Sequence, residues 1–324
     1  MDITIRIIDK LNDLPPLRDT VFFHSKTYFK VAAESPLTTP LMAVAEDEEG
    51  HIVGHLLAVI RIRHTWLPPF LFRQARIYGK GVYADGVDEE YVFGLMLHAM
   101  TRALKRRFCV LIEVSDICPK MFGYRMFRRC GYFALKWQEV YNSLHSLGPE
   151  ERLTEKTEQH IRKSREIGVE TTETTDPEDI RRFYKLLSGF YRLRLRRVLP
   201  PLQQILQLQA LGSAHVLVTR FKGRIIGGCV SVYSDGDAFL WYLARVKKRY
   251  VMLHADSMTV WQAIVNAWQQ GCRHIRFLDV GLPWRRNPFR EFILGFGGKP
   301  VARYRWFRFN IPWINGFFRW WYRE

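Results

Sequence analysis

Two carboxylates stand where an apolar run stops. Glu113 lies at the end of "FCVLIEV" (108–114) and Asp279 at the end of "HIRFLDV" (274–280). A carboxylate at a strand end can accept a proton or orient an amine, and it can equally fix a loop. Tyr242, in "FLWYLA", carries a hydroxyl that could serve a leaving group or simply belong to a core. Cations gather in two clusters. Arg192, Arg194, Arg196 and Arg197 alternate with leucines ahead of Pro200-Pro201 with no acid among them, which favours anion binding. Arg162, Lys163 and Arg165 read as contacts to a phosphorylated acceptor or tRNA, or as a solvated helix face. Arg285, Arg286 and Lys299 could line the same cleft. His215, His254 and His274 lack ligand spacing and read as core or surface residues. The five cysteines contain no Cys-x-x-Cys pair, so no metal site is expected and the thiols read as reduced.

The elements that must hold these residues occur twice. "LMAVAEDEEGHIVGHLLAVI" (41–60) and "HVLVTRFKGRIIGGCVSVY" (215–233) alternate apolar and polar residues around a glycine-bearing turn, the pattern of an antiparallel hairpin. An amphipathic helix follows each, near 90–106 with Leu95, Met96, Ala99, Met100, Ala103 and Leu104 on one face, and near 255–269 with Met258, Trp261, Ile264, Val265 and Trp268. Next come the two carboxylate strands. Eighteen residues beyond Glu113 and Asp279 stand Gly131 and Gly297, each leading into an aromatic-rich strand. A glycine there supplies the left-handed helix end that other residues resist. The strand that follows is expected to pair beside the strand of the carboxylate. Hairpin, helix, strand, helix, glycine and strand in the same order argue for a tandem repeat of one α/β unit. The polar stretch 146–159 suits a linker, which gives units over 1–148 and 149–324.

Charge sets the class of partner. Lys plus Arg number 49 against 32 for Asp plus Glu, a net +17 that favours polyanionic partners: nucleic acid, anionic lipid or phosphorylated precursors. The first residues carry charges throughout and lack the apolar core of a signal peptide, and no apolar run is long enough to span a bilayer. A cytoplasmic protein is expected, with peripheral contact at the inner face of the membrane. "IPWINGFFRWWYRE" (311–324) sets Trp and Phe beside Arg319 and Arg323, which fits the interface of an anionic membrane or a segment docked on the body. "HTWLPPFLF" (64–72) is a second amphiphilic stretch.

"MFRRCGYFALKWQEVY" (126–141) resembles the late motif of the GNAT acyltransferase superfamily, a short helix, Gly-aromatic and a strand. Two such units resemble the FemAB-type subgroup, which transfers aminoacyl groups to cell-wall precursors, and relatives tied to polysaccharide biosynthesis. "HIRKSREIGVE" (160–170), "RLRLRRVLPPLQQILQLQAL" (192–211) and "FREFILGFGGKPV" resemble segments of those proteins, so the likeness covers most of 155–309. It implies a mixed, mostly antiparallel sheet flanked by helices in each unit. It also implies a donor whose pyrophosphate meets backbone N–H groups between a splayed strand and the next helix. In the first half that position holds Asp85, Asp88, Glu89 and Glu90, carboxylates that repel phosphate and suit a helix start. In the second half it holds Lys247, Lys248 and Arg249 but no glycine pair. The expectation is a degenerate first unit and an active second unit, with Asp279 and Tyr242 at the chemistry. No tightly bound cofactor is expected; the co-substrate is acyl-CoA or aminoacyl-tRNA, and the acceptor a phosphorylated or lipid-linked amine. Two alternatives stay open: an acyl-CoA-dependent N-acetyltransferase of a small-molecule amine, and a non-catalytic module that holds RNA or anionic lipid.

Overall fold

The computed structural model describes residues 2–64, 71–115, 119–191, 199–246, 250–278 and 280–322. The chain divides into two compact units, Met1–Trp137 with Ala302–Glu324, and Gln138–Val301. A single cut near 148 therefore does not describe the division, because a C-terminal segment belongs to the first unit.

In the first unit, β1 (Thr4–Ile8), β2 (Thr38–Glu46), β3 (Ile52–His64) and β4 (Leu71–Tyr78) pair antiparallel in that order. The short β5 (Val82–Tyr83) adds to β3. Then β4 pairs parallel with β6 (Leu111–Ser115). The strand expected beside β6 was the one after Gly131. The structure instead pairs β6 with residues 305–309 of β13 (Lys299–Phe309), antiparallel. The helices of this unit are α1 (Lys26–Glu34), α2 (Glu89–Arg106), α3 (Tyr124–Arg129) and α9 (Pro312–Trp321).

The second unit repeats the plan. β8 (Val169–Glu173), β9 (His215–Phe221), β10 (Arg224–Ser234) and β11 (Asp237–Arg245) pair antiparallel in order, and β11 pairs parallel with β12 (His274–Phe277). Here β12 receives residues 140–143 of β7 (Phe133–Ser143), the strand that follows Gly131. The helices are α4 (Glu155–Glu166), α5 (Pro177–Tyr191), α6 (Leu202–Ala210), α7 (Ala255–Gln269) and α8 (Pro288–Leu294). Each half of the sequence thus gives its last strand to the other unit.

Both corner glycines are left-handed as expected, Gly131 at φ 79° and Gly297 at φ 82°. The backbone of Tyr132 donates to Phe127 and that of Gly131 to Arg128, the paired bonds that close a helix on a left-handed residue. The expected faces of the long helices hold in part. Met96, Met100 and Leu104 are buried, but Val92, Phe93 and Leu97 join them in place of Leu95 and Ala99. In α7, Met258, Trp261 and Ile264 are buried, whereas Trp268 is exposed. The apolar run 108–114 begins its strand only at Leu111. Phe108 is instead the left-handed residue (φ 56°) that closes α2, with its N–H on Lys105 and that of Cys109 on Leu104.

Candidate active site

The site begins with a difference between two parallel strand pairs. In the first unit β4 and β6 stay together to their last residues, Tyr78 opposite Ser115, and the N–H of Gly79 still donates to the Ser115 carbonyl at 2.9 Å. In the second unit β11 and β12 pair only from Asp237 opposite His274 to Leu240 opposite Phe277. Beyond that point β11 runs on to Arg245, and among the described residues the strand partner of 242–245 is β10. The register of β10 and β11 slips between Val230 and Ser231, so β11 carries one extra residue there. A bulge turns a strand and raises its local twist. It leaves one side of 241–245 without a strand neighbour on the β12 side, the geometry in which backbone N–H groups can meet a carbonyl.

Two glycines let helices close over this strand pair. A Cβ at Gly228 would stand 2.5 Å from the Leu217 carbonyl and 2.8 Å from the Phe183 ring of α5. A Cβ at Gly227 would stand 3.3 Å from Ala255 and Thr259 of α7. The motif 223–228 is therefore a packing device as well as a turn.

The start of α7 lies at the open end of β11. Its N-cap, His254, is left-handed and makes no side-chain capping bond; in the first turn the Ser257 N–H donates instead to the Asp256 carboxylate at 3.1 Å. The His254 ring stacks on His160 of α4 with centroids 3.8 Å apart. Ser164, buried on α4, donates to the Leu253 carbonyl at 3.0 Å and ties the two helices together. Lys156, His160 and Lys163 share one face of α4 by helical spacing. Desolvation first, then the charge of Lys156, lowers the pKa of His160; desolvation first, then His160, lowers that of His254. Lys163 acts in the same direction on both rings. Arg245 pairs with Asp256 in the first turn of α7 at 2.9 Å. The sequence reading assigned none of Lys156, His160, His254 or Arg245. The spacing of 156, 160 and 163 on one predicted helix was available to it, but their meeting with His254 was not.

Asp279, Lys247, Lys248, Arg249, Arg192, Arg194, Arg196 and Arg197 lie outside the described residues. Tyr242 is on the part of β11 beyond its pairing with β12, opposite Val230 of β10. It is fully buried, edge-on to Tyr191 of α5, whose hydroxyl donates to the Leu243 carbonyl at 3.3 Å. Arg162, Lys163 and Arg165 are exposed on α4; Lys163 is the one brought into electrostatic reach of His254, and Arg162 faces Glu166 at 3.9 Å. Arg285 is exposed on the loop that follows β12, beside Trp284, which is 62% exposed. That loop is held by Arg290, which donates to the Leu282 and Arg285 carbonyls at 2.9 and 3.1 Å. Lys299 is exposed at the first residue of β13.

The matching positions in the first unit do structural work. Asp88 caps α2, accepting from the Tyr91 N–H at 3.1 Å. Glu89 pairs with Lys80, and Asp85 with Arg18. Glu113 is buried between Arg76 at 3.2 Å and Arg305 at 3.3 Å, with Gln74 donating at 3.0 Å. A carboxylate so occupied is not poised to take a proton from substrate.

Residues 152–286 match the family model described as the acetyltransferase (GNAT) domain. A search of curated proteins gives no match. Among solved structures the chain is similar to FemX, with a TM-score of 0.62 at 9% identity over 90% of this chain and 93% of that one. A tandem GNAT protein from the clavulanic acid biosynthesis pathway aligns with a TM-score of 0.60 at 10% identity, over 95% of this chain and 99% of that one. The C-terminal domain of a putative lysylphosphatidylglycerol synthetase from Agrobacterium fabrum aligns at 0.55 and 12% identity, over 87% and 86%. Likeness at such identity speaks for the fold, and the matched domain for the chemistry. The chain carries a GNAT acyltransferase domain in its second half and has, as a whole, the tandem GNAT fold of the FemAB type.

Proposed function

We propose that the second unit transfers an acyl or aminoacyl group from an activated donor to an amine of a cell-envelope or polysaccharide precursor. The observation that carries this is the parting of β11 from β12 after Leu240 and Phe277. An amine attacking the donor carbonyl forms a tetrahedral oxyanion, which backbone N–H groups along 241–245 are oriented to stabilise. The attacking amine sheds a proton, and we assign its acceptance to Asp279. Collapse expels a thiolate or a ribose alkoxide, and we assign its protonation to Tyr242. Lys247, Lys248 and Arg249, joined by Lys156, His160 and Lys163, suit the donor phosphates. Arg162, Arg165, Arg192, Arg194, Arg196, Arg197, Arg285 and Lys299 suit a phosphorylated or lipid-linked acceptor, and the arginine strip equally suits tRNA.

Two donors are supported by different neighbours. The lysylphosphatidylglycerol synthetase is named for an aminoacyl group on a phospholipid, which favours aminoacyl-tRNA and an envelope acceptor. The clavulanic acid pathway protein is named with reference to AcCoA, which favours acyl-CoA and a small amine. Native mass spectrometry of the full chain with acetyl-CoA, and separately with charged tRNA, distinguishes them, and turnover is read with an amine acceptor. Saturable acetyl-CoA binding with acetyl transfer selects the small-molecule reading. Charged tRNA bound without CoA selects aminoacyl transfer. Function that survives Asp279→Asn and Tyr242→Phe, yet is lost on charge reversal at Arg192, Arg194, Arg196 and Arg197, would refute the enzyme reading and leave a binding module.

A further inference from the structure

Helix α9 serves two surroundings at once. Its inner side is fastened to the first unit: Asn315, 8% exposed, accepts from the Phe309 N–H and donates to the Gly131 carbonyl, both at 3.0 Å. Phe318 stacks on Phe133 and Phe309, with centroids 5.6 and 5.1 Å apart. The outer side is aromatic and bare. Trp313, Phe317, Trp320 and Trp321 are 75, 51, 59 and 63% exposed, and their spacing sets them on one helical face. Phe317 meets Trp320 and Trp321 at 6.3 and 5.9 Å between ring centroids, so the stripe is continuous.

A second exposed apolar side chain, Phe108, stands at a chain corner joined to the segment before α9. Phe108 is 79% exposed and left-handed, at a helix end where glycine rests without strain. Asn310, two residues before α9, holds this corner through its N–H on Val110 and its side chain on Cys109, at 3.0 and 2.7 Å. Exposed cations stand on the same stretches of chain, Arg319 on α9, Arg129 two residues before Gly131, whose carbonyl Asn315 holds, and Lys105 and Arg106 just before Phe108. The described part of α9 carries no acidic residue. Two copies of this face brought together would oppose like charges, whereas a bilayer with anionic headgroups satisfies both the rings and the cations. No described helix is long and apolar enough to cross a membrane, so the contact is at the surface.

We propose that the outer face of α9, with Phe108, docks onto an anionic phospholipid bilayer. Its aromatic rings enter the headgroup boundary and the neighbouring exposed cations meet lipid phosphates. This stands apart from the acyl-transfer reading. If that reading also holds, docking brings the enzyme to the surface where a lipid-borne amine is found.

The test is flotation of the full chain with vesicles of phosphatidylcholine alone, or with about 30% phosphatidylglycerol. Binding is expected on the anionic vesicles and at least about tenfold less on the neutral ones. The triple variant Phe317→Ser, Trp320→Ser, Trp321→Ser changes solvent-facing side chains and should keep the wild-type melting temperature while losing about tenfold or more in affinity. Phe108→Gly separates docking from folding: it should raise the melting temperature and lower vesicle affinity together, whereas a structural role moves only stability. Wild-type protein that stays with the pellet, or a triple variant that floats like wild type, overturns the proposal. So does self-association that the triple variant abolishes, in the absence of flotation.

Discussion

Glu139 and Arg305 each stand eight residues after the glycine that ends a short helix, Gly131 or Gly297. They occupy equivalent places in the two exchanged strands and carry opposite charges. In the first unit Arg305 meets buried Glu113 at 3.3 Å and lies over the Trp137 ring at 4.0 Å. In the second unit Glu139 meets buried Arg276 at 3.1 Å, and Asp237 adds a contact at 3.7 Å. Without the exchange, Glu139 would face Glu113 and Arg305 would face Arg276. Burying such like charges is costly, so this charge pattern favours the exchanged arrangement. At an effective dielectric of about 20, unit charges at these separations interact by about 5 kcal/mol. Breaking one such buried pair costs about 3–5 kcal/mol, a large share of a domain's total of about 5–15. Arg305→Gln and Glu139→Gln should each lower stability in urea by about that amount, read by tryptophan fluorescence. The decisive variant reverses both signs at once, Glu139→Arg with Arg305→Glu, which leaves net charge and composition unchanged. It should be less stable than either neutral single variant, because both units then bury repelling pairs in the exchanged arrangement. Wild-type urea resistance in the double reversal would refute the reasoning.

Other outcomes can be checked in parallel. His24 and His55 are buried in the first unit; desolvation first, and for His24 then the charge of His55, lowers their pKa values to about 3 and about 4. An unfolded histidine takes a proton near pH 6.5, so the unfolded state binds more protons below that value. Stability should be complete above pH 6.5 and fall as pH drops toward 4, and His24→Asn with His55→Asn should flatten that slope in thermal melts. Gly228→Ala should destabilise by about 1–3 kcal/mol, since its Cβ would overlap a strand carbonyl and the Phe183 ring; unchanged melting would mean that α5 can move away. Lys156→Glu with Lys163→Glu should raise donor KM about tenfold or more with little change in kcat, because it alters charge at the start of α7 without touching β11. A fall in kcat alone would place these lysines elsewhere in the reaction.

Much of this architecture was legible in the residues. Alternation around Gly50 and Gly223 announced both hairpins, and the structure has β2–β3 and β9–β10 there. The left-handed corners at Gly131 and Gly297 followed from the type of residue alone. The acids at 85–90 were readable as helix-start residues, and Asp88 is the cap. These features are local: a turn, a cap or an amphipathic face is specified by neighbours a few residues away. Phe108 was misread as strand because its apolar run hides a helix end that glycine usually marks.

What the chain order could not decide lies in pairings between distant segments. A strand edge offers the same N–H and C=O groups to any partner, and the pairing of β6 with β13 rather than β7 brings together charges nearly 200 residues apart in sequence, Glu113 and Arg305. The parting of β11 from β12 goes with a register slip against β10, beside helices packed over Gly227 and Gly228. His160 and His254 became neighbours only when α4 lay on α7. The aromatic segment at 311–322 could have been read as docked on the body or as facing a membrane. The folded chain docks one face and leaves the aromatic one exposed, because a helix turns successive side chains through about 100° and the first unit covers only one side.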